Sequence, residues 1–282
     1  MAQITAAAVK ALRDQTGAGM MDCKKVLSEA GGDASKAVEL LREKGLAKAG
    51  KREGRATSEG LVSIAFDAGT AGMVEVGCET DFVARTDDFS ALVNSLATAV
   101  AADTTLEGPE KLLEAMVGGK KVADRITAAI AKLGENIQVK RVARVIADDG
   151  TAGGYVHTGG RVGVIVALRG ANGLDSLAKD VAMHVAAADP SPVAIDRDGV
   201  SIDLLESERK IYRNQAIQAG KPEKVIDKIV EGKLNKFLSE VCLVRQAFVK
   251  DPDKTVGDLL KQAGDIHVVG FQRFKLGEAS EA

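Results

Sequence analysis

The chain repeats one pattern twice, and a duplication constrains a fold more tightly than any single motif. "LVSIAFDAGTAGMVEVGCE" (61–79) and "GGYVHTGGRVGVIVALRG" (153–170) each read as two β-rich runs around a glycine-containing turn, which predicts two hairpins. Each is followed by an amphipathic helix. Phe89, Leu92, Val93, Leu96 and Val100 make the apolar face of the first, and Leu174, Leu177, Ala178, Val181 and Val185 that of the second. The copies also close alike. "KKVADRITAAIAKLGENIQVKRVARVI" and "KTVGDLLKQAGDIHVVGFQRFKL" share a Lys-x-Val-x-Asp helix start, a Gly-acidic turn (Gly134-Glu135, Gly264-Asp265) and a closing strand. The expectation is an α+β protein whose core is two related subdomains, each a three-stranded antiparallel sheet with helices on one face.

Two segments stand outside the repeat. At the amino end, Thr5 is a good N-cap, Ala8, Val9 and Leu12 follow at helical spacing, and Gly17 stops the run. "GAGMMDCKKVLSEAGG" predicts a second short helix between glycines, and Asp33 caps a third bearing Val38, Leu40 and Leu41. The result is a three-helix module too small for a substantial core of its own. "KGLAKAGKREGR" (44–55) then holds five basic residues and one acidic, and reads as a solvated linker or as a contact for an acidic surface. The second segment interrupts the second copy after "DPSPV". Two charged helical runs broken at "AGKP" carry Leu205, Tyr212 and Ala219 at sevens on one side, and Ile226, Ile229, Val230, Leu234, Phe237 and Leu238 on the other. A projecting helical hairpin fits, its seam either satisfied internally or used for self-association. The expected domains are residues 1–55 (helical module and basic linker), 56–149 (first subdomain), 150–199 with 242–282 (second subdomain) and 200–241 (helical hairpin).

Composition excludes several classes. With 38 basic and 40 acidic side chains there is no global field to collect nucleic acid, and no run approaches the roughly 18 apolar residues of a membrane span. A cytoplasmic protein without direct nucleic-acid or membrane contact is expected. Cys23, Cys78 and Cys242 are odd in number and far apart, which suits buried small hydrophobes better than disulfides or zinc. His157, His184 and His267 lack ligand spacing. No metal or cofactor is expected.

A search for convergent reactive groups finds no phosphate loop, nucleophile elbow, dinucleotide fingerprint or HExxH. The glycines of "TGAGMMDCKK" suit a tight turn between helices. A thiol enzyme based on Cys23 or Cys78 would need a base that local sequence does not supply. His157, at a hairpin end beside Gly159 and Gly160, reads as a core or turn residue, with a contact role behind. "ETDFVAR" (79–85) places a large apolar side chain beside a charge between a strand and a helix. Asp81 as a cap and Phe82 folded back on the core is one reading; Phe82 as a protruding wedge, contributing about 1.5–3 kcal/mol when buried by a partner, is the other. These features suit a binding protein more than an enzyme.

"LRDQTGAGMMDCKKVL" (12–27) and "EVGCETDFVAR" (75–85) together resemble the signature stretches of the bacterial translation elongation factor Ts family. The resemblance continues through "KLGENIQVKRV", "YVHTGGRVGVIV", "MHVAAADP", "GKPEKVIDKIVEGKLNKF" and "KTVGDLL", across nearly the whole chain. It implies a guanine-nucleotide exchange factor, not an enzyme, acting on the GTPase elongation factor Tu during translation. It also implies a ubiquitin-associated-like (UBA-like) amino-terminal module and a coiled-coil hairpin serving homodimer or heterotetramer formation. Asp81 and Phe82, flanked by Thr80 and Val83, would enter the GTPase domain and disturb its Mg²⁺ and phosphate site. Lys10, Arg13, Met20, Met21 and Lys24 would face the partner from the helical module, and Leu133, Gly134 and His157 from the core. Gly77 stands where the family usually has Asn, and a carboxy-terminal helix that some members use for contact is not expected here. The rival reading is an adaptor without exchange activity, built on the helical module and the arm.

Overall fold

A computed structural model describes residues 4–278, with the side chains of 46 and 48 left aside. Three helices open it: α1 (Ala6–Thr16), α2 (Met20–Glu29) and α3 (Ala34–Gly50). Thr5 caps α1 by accepting from the Ala8 N–H, Gly17 ends it at φ 67°, and the Asp33 carboxylate caps α3 by accepting from the Ser35 and Lys36 N–H groups. Val9, Leu12, Cys23, Val26, Leu27 and Ala37 close a small core between the three.

The first repeat comprises β1 (Glu59–Asp67), β2 (Thr70–Cys78), α4 (Asp81–Ala84), α5 (Asp87–Ala102), α6 (Gly108–Glu114), β3 (Met116–Val117), β4 (Lys120–Lys121), α7 (Val122–Leu133) and β5 (Ile137–Ile146). Its sheet has the order β1-β2-β5, all antiparallel. Asp67 pairs with Thr70 across Ala68 and Gly69, both at positive φ, as a two-residue hairpin turn of the favoured twist requires. The second repeat comprises β6 (Gly150–Val156), β7 (Val162–Arg169), α8 (Asp175–Ala187), the inserted α9 (Ile202–Gln218) and α10 (Glu223–Val241), then β8 (Ala247–Phe248), β9 (Asp251–Thr255), α11 (Val256–Gln262) and β10 (His267–Lys275). Its sheet order, β10-β7-β6, places the closing strand beside the second hairpin strand, as in the first repeat. The shared Lys-x-Val-x-Asp pattern has one structural meaning: Val122 and Val256 are each the fully buried first residue of a helix. The short hairpins β3-β4 and β8-β9 that precede those helices were not legible in the repeat.

Helices cover one face of each sheet, and the other faces pack against each other. On β2, Val74, Val76 and Cys78 meet α5 and α7, while Ala71 and Met73 turn the opposite way onto Ile165, Ala167 and Phe274 of the second sheet. Coverage on both faces is why every residue of β2, Thr70 and Glu75 included, is buried. Gly163 sits at this seam, where a Cβ would stand 2.5 Å from Val62 Cγ1, so the sheets close only over a residue without a side chain.

Two expectations are corrected. The basic stretch read as a linker is helical to Gly50, because α3 gains a dock: a Cβ on Gly45 would lie 3.2 Å from that of Ala131 on α7, and Ala49 packs on the apolar cluster between the first sheet and its helices, the first core. In the arm, α9 and α10 run antiparallel, tied by Arg209–Glu231 (3.0 Å) and Arg213–Asp227 (2.6 Å). The small residue of the seam is Ala216, packed with Ile226 and Val230, and not Ala219, which lies exposed past the end of α9. The seam is satisfied internally, while Ile202, Ile211 and Ile217 remain exposed on α9. Among the described residues no helix is long and apolar enough to cross a membrane.

Candidate partner-binding site

Beyond Cys78 the chain leaves β2 and turns at once into α4, a single helical turn. Thr80 is its N-cap, its Oγ1 accepting from the Val83 N–H at 3.4 Å. Asp81, read as a possible cap, instead occupies the first turn and pairs with Arg85 at 2.9 Å, one helical turn on. Val83 and Ala84 face inward and join the first core. Phe82, between them and Asp81, is 81% exposed. The fold-back reading of Phe82 is therefore wrong: on a one-turn helix whose next two residues are buried, the neighbouring position faces water.

The turn is held from below by a reciprocal arrangement of carboxylates. Glu135 Oε2 accepts from the backbone N–H groups of Glu79 (3.1 Å) and Thr80 (2.9 Å), and its Oε1 accepts from the Thr80 hydroxyl at 2.5 Å. In return, Glu79 Oε1 accepts from the Asn136 N–H at 2.7 Å, and Asn136 Nδ2 donates to the Arg55 carbonyl at 2.9 Å. The buried Cys78 thiol donates to the Thr80 carbonyl at 3.2 Å. Burial, with the Glu135 charge adding to it, pushes that thiol up to about 12, so it stays protonated at neutral pH and is no nucleophile. Gly77, just upstream, leaves room for the chain before β1: a Cβ there would stand 2.9 Å from Lys140 Cε and 3.0 Å from the Thr57 carbonyl oxygen.

Leu133 and Gly134 belong to the same corner. Leu133 packs on the first core, and Gly134 ends α7 in the left-handed conformation, its N–H bonded to the Ile130 carbonyl. Lys132 reaches from there to Asp88 at 2.6 Å, and its stem lies against Gly17, where a Cβ would be 3.2 Å from Lys132 Cε. The α1–α2 turn is thereby brought onto the end of α7. Lys10, Arg13, Met20, Met21 and Lys24 are all exposed on α1 and α2, with Met21 at 74%. His157 lies elsewhere, on the exposed turn between β6 and β7. Its Nδ1 is 2.9 Å from Tyr155 Oη, and Gly160 of the same turn accepts from the Val62 N–H at 2.7 Å. It is a turn residue, not a core one.

Glu79, Glu135 and Asn136 escaped the sequence reading as site residues. Glu135 was visible only as the second residue of a repeated turn, and nothing local ties it to a loop more than 50 residues earlier. Among the described residues, no three His, Cys, Asp or Glu side chains cluster as metal ligands.

Against this geometry, a family model described as Elongation factor TS matches residues 79–278. Elongation factor Ts of Chlorobium phaeobacteroides (strain BS1) is 47% identical over 290 residues, covering 98% of this chain and 100% of that protein. Elongation factor Ts of Hydrogenovibrio crunogenus (strain DSM 25203 / XCL-2) is 47% identical over 280 residues, covering 99% of this chain and 93% of the relative.

Proposed function

Because the chain belongs to the elongation factor Ts family, we propose that it is a guanine-nucleotide exchange factor for elongation factor Tu in translation. The single observation that carries the mechanism is Phe82: a large apolar side chain, 81% exposed, on a turn anchored on both sides. In this reading Phe82 wedges into the GTPase domain with Asp81 beside it. The displaced helices no longer support Mg²⁺ and phosphate coordination, and GDP leaves faster. The chain makes and breaks no covalent bond. Met20 and Met21, with Lys10, Arg13 and Lys24 around them, supply a second contact from a UBA-like module, and Leu133, Gly134 and His157 add contacts from the core. The division into that module, two core subdomains and a coiled-coil arm belongs to the same proposal.

Turnover follows from linkage. A factor that weakens nucleotide binding is itself bound less tightly once nucleotide returns, so GTP entry expels it and one copy serves many GTPases. The test is release of labelled GDP from elongation factor Tu. Catalytic amounts of the chain should accelerate it and Phe82→Ala should blunt it; unchanged release in the presence of folded wild-type protein overturns the reading in favour of an adaptor.

A further inference from the structure

We infer that Glu135 is the positioning residue for the Phe82 turn, a role that rests on the exchange reading above. The last paired position of β2 and β5 is Cys78 with Ile137, so the next two N–H groups, those of Glu79 and Thr80, leave the ladder without strand partners. Partly buried N–H groups need acceptors, and one carboxylate oxygen supplies both. The other oxygen takes the Thr80 hydroxyl proton, which turns the remaining Oγ1 lone pairs toward the Val83 N–H. Glu135 thus selects the Thr80 rotamer that caps α4. Glu79 answers by accepting from the residue after Glu135, so neither segment shifts without the other.

The second repeat shows that the fold does not require this device. Its equivalent turn, Gly264-Asp265, has Asp265 exposed at φ 59° with its carboxylate 3.7 Å from His267 Nε2, and the corresponding sheet closes nevertheless. The clasp occurs in the copy that carries Phe82. A four-residue helix has no stability of its own, and an exposed ring gains none from packing, so the direction in which Phe82 projects is set by Thr80 on one side and Val83 with Ala84 on the other. A wedge acts well only when it is pre-organised.

The test is GDP release from elongation factor Tu at saturating and limiting factor for the wild type, Glu135→Ala, the near-isosteric Glu135→Gln, and Glu107→Gln as a remote control. Amide hydrogen exchange is followed over 79–84. Glu135→Ala should lower the saturating rate at least tenfold with less than a threefold change in the half-saturating concentration, and Glu135→Gln should fall between it and the wild type. Amides 79–84 should lose protection while the rest of the chain and its circular dichroism stay unchanged. Unchanged protection at 79–84 overturns the inference whatever the rate. So does a loss carried by the half-saturating concentration, or protection lost throughout the chain in both variants. If the wild type itself fails to release GDP, the exchange reading falls, and the clasp is decided by the amide protection alone.

Discussion

Glu75 and Arg141 face each other on the inner side of the first sheet, both nearly buried, with Arg141 Nε donating to Glu75 Oε2 at 2.7 Å and Nη2 donating to the same oxygen. The guanidinium also reaches across the seam between the sheets. Its Nη2 donates to the Lys275 carbonyl at 2.8 Å, and its carbon lies 4.3 Å from the centre of the Phe274 ring. Removing one partner of such a pair strands the other. Arg141→Leu should cost about 3–5 kcal/mol in chemical denaturation, whereas replacing Glu75 and Arg141 together by apolar residues should cost far less than the sum of the single changes.

Phe82→Ala separates stability from function. The ring is solvent-exposed, so its loss should change unfolding free energy by no more than about 0.5 kcal/mol. GDP release should fall by roughly tenfold or more, the equivalent of about 1.5–3 kcal/mol of burial withheld from the partner. Denaturant melts and the release assay on one preparation check both halves.

Met21→Ser should leave the fold intact, since the side chain is 74% exposed. It should raise the half-saturating concentration for elongation factor Tu by roughly tenfold, matching about 1.5 kcal/mol of lost apolar contact. Titration of exchange rate against factor concentration reads this directly, and an unchanged curve removes α2 from the interface.

His184 should make stability fall in mild acid. It is almost fully buried; its Nε2–H donates to Gln246 Oε1 at 2.9 Å, and its Nδ1 accepts from the Val249 N–H at 3.2 Å. Because an amide N–H only donates, Nδ1 must be unprotonated, and burial holds the pKa below the ordinary histidine value despite the Gln246 bond. The unfolded chain therefore binds a proton that the folded chain refuses. Stability is fully present above the unfolded value of about 6.5 and declines as pH falls from there toward the depressed folded value. Urea melts between about pH 7.5 and pH 5 should show this slope in the wild type and a shallower one in His184→Gln.

What could be read without coordinates was local. The caps at Thr5 and Asp33, the stop at Gly17, the twin helix starts at Val122 and Val256 and the burial of all three cysteines follow from steric preferences and hydrophobic spacing within a few residues. The extension of α3 to Gly50 was hidden because its support comes from Ala131, more than 80 residues on.

The α+β class, the duplicated three-stranded pattern, the helical insertion and, through long matching blocks, the family are all legible in the order of residues along the chain. Tertiary structure alone decided which way Phe82 faces and what holds it there. Spacing in "ETDFVAR" is compatible with a ring turned inward or outward. The choice falls to Val83 and Ala84, which take the core positions, and to Glu135, a carboxylate that supplies the acceptors the ladder lacks. Those contacts join residues more than 50 positions apart, and no local preference encodes them; only closure of β2 onto β5 brings the two segments within hydrogen-bonding distance.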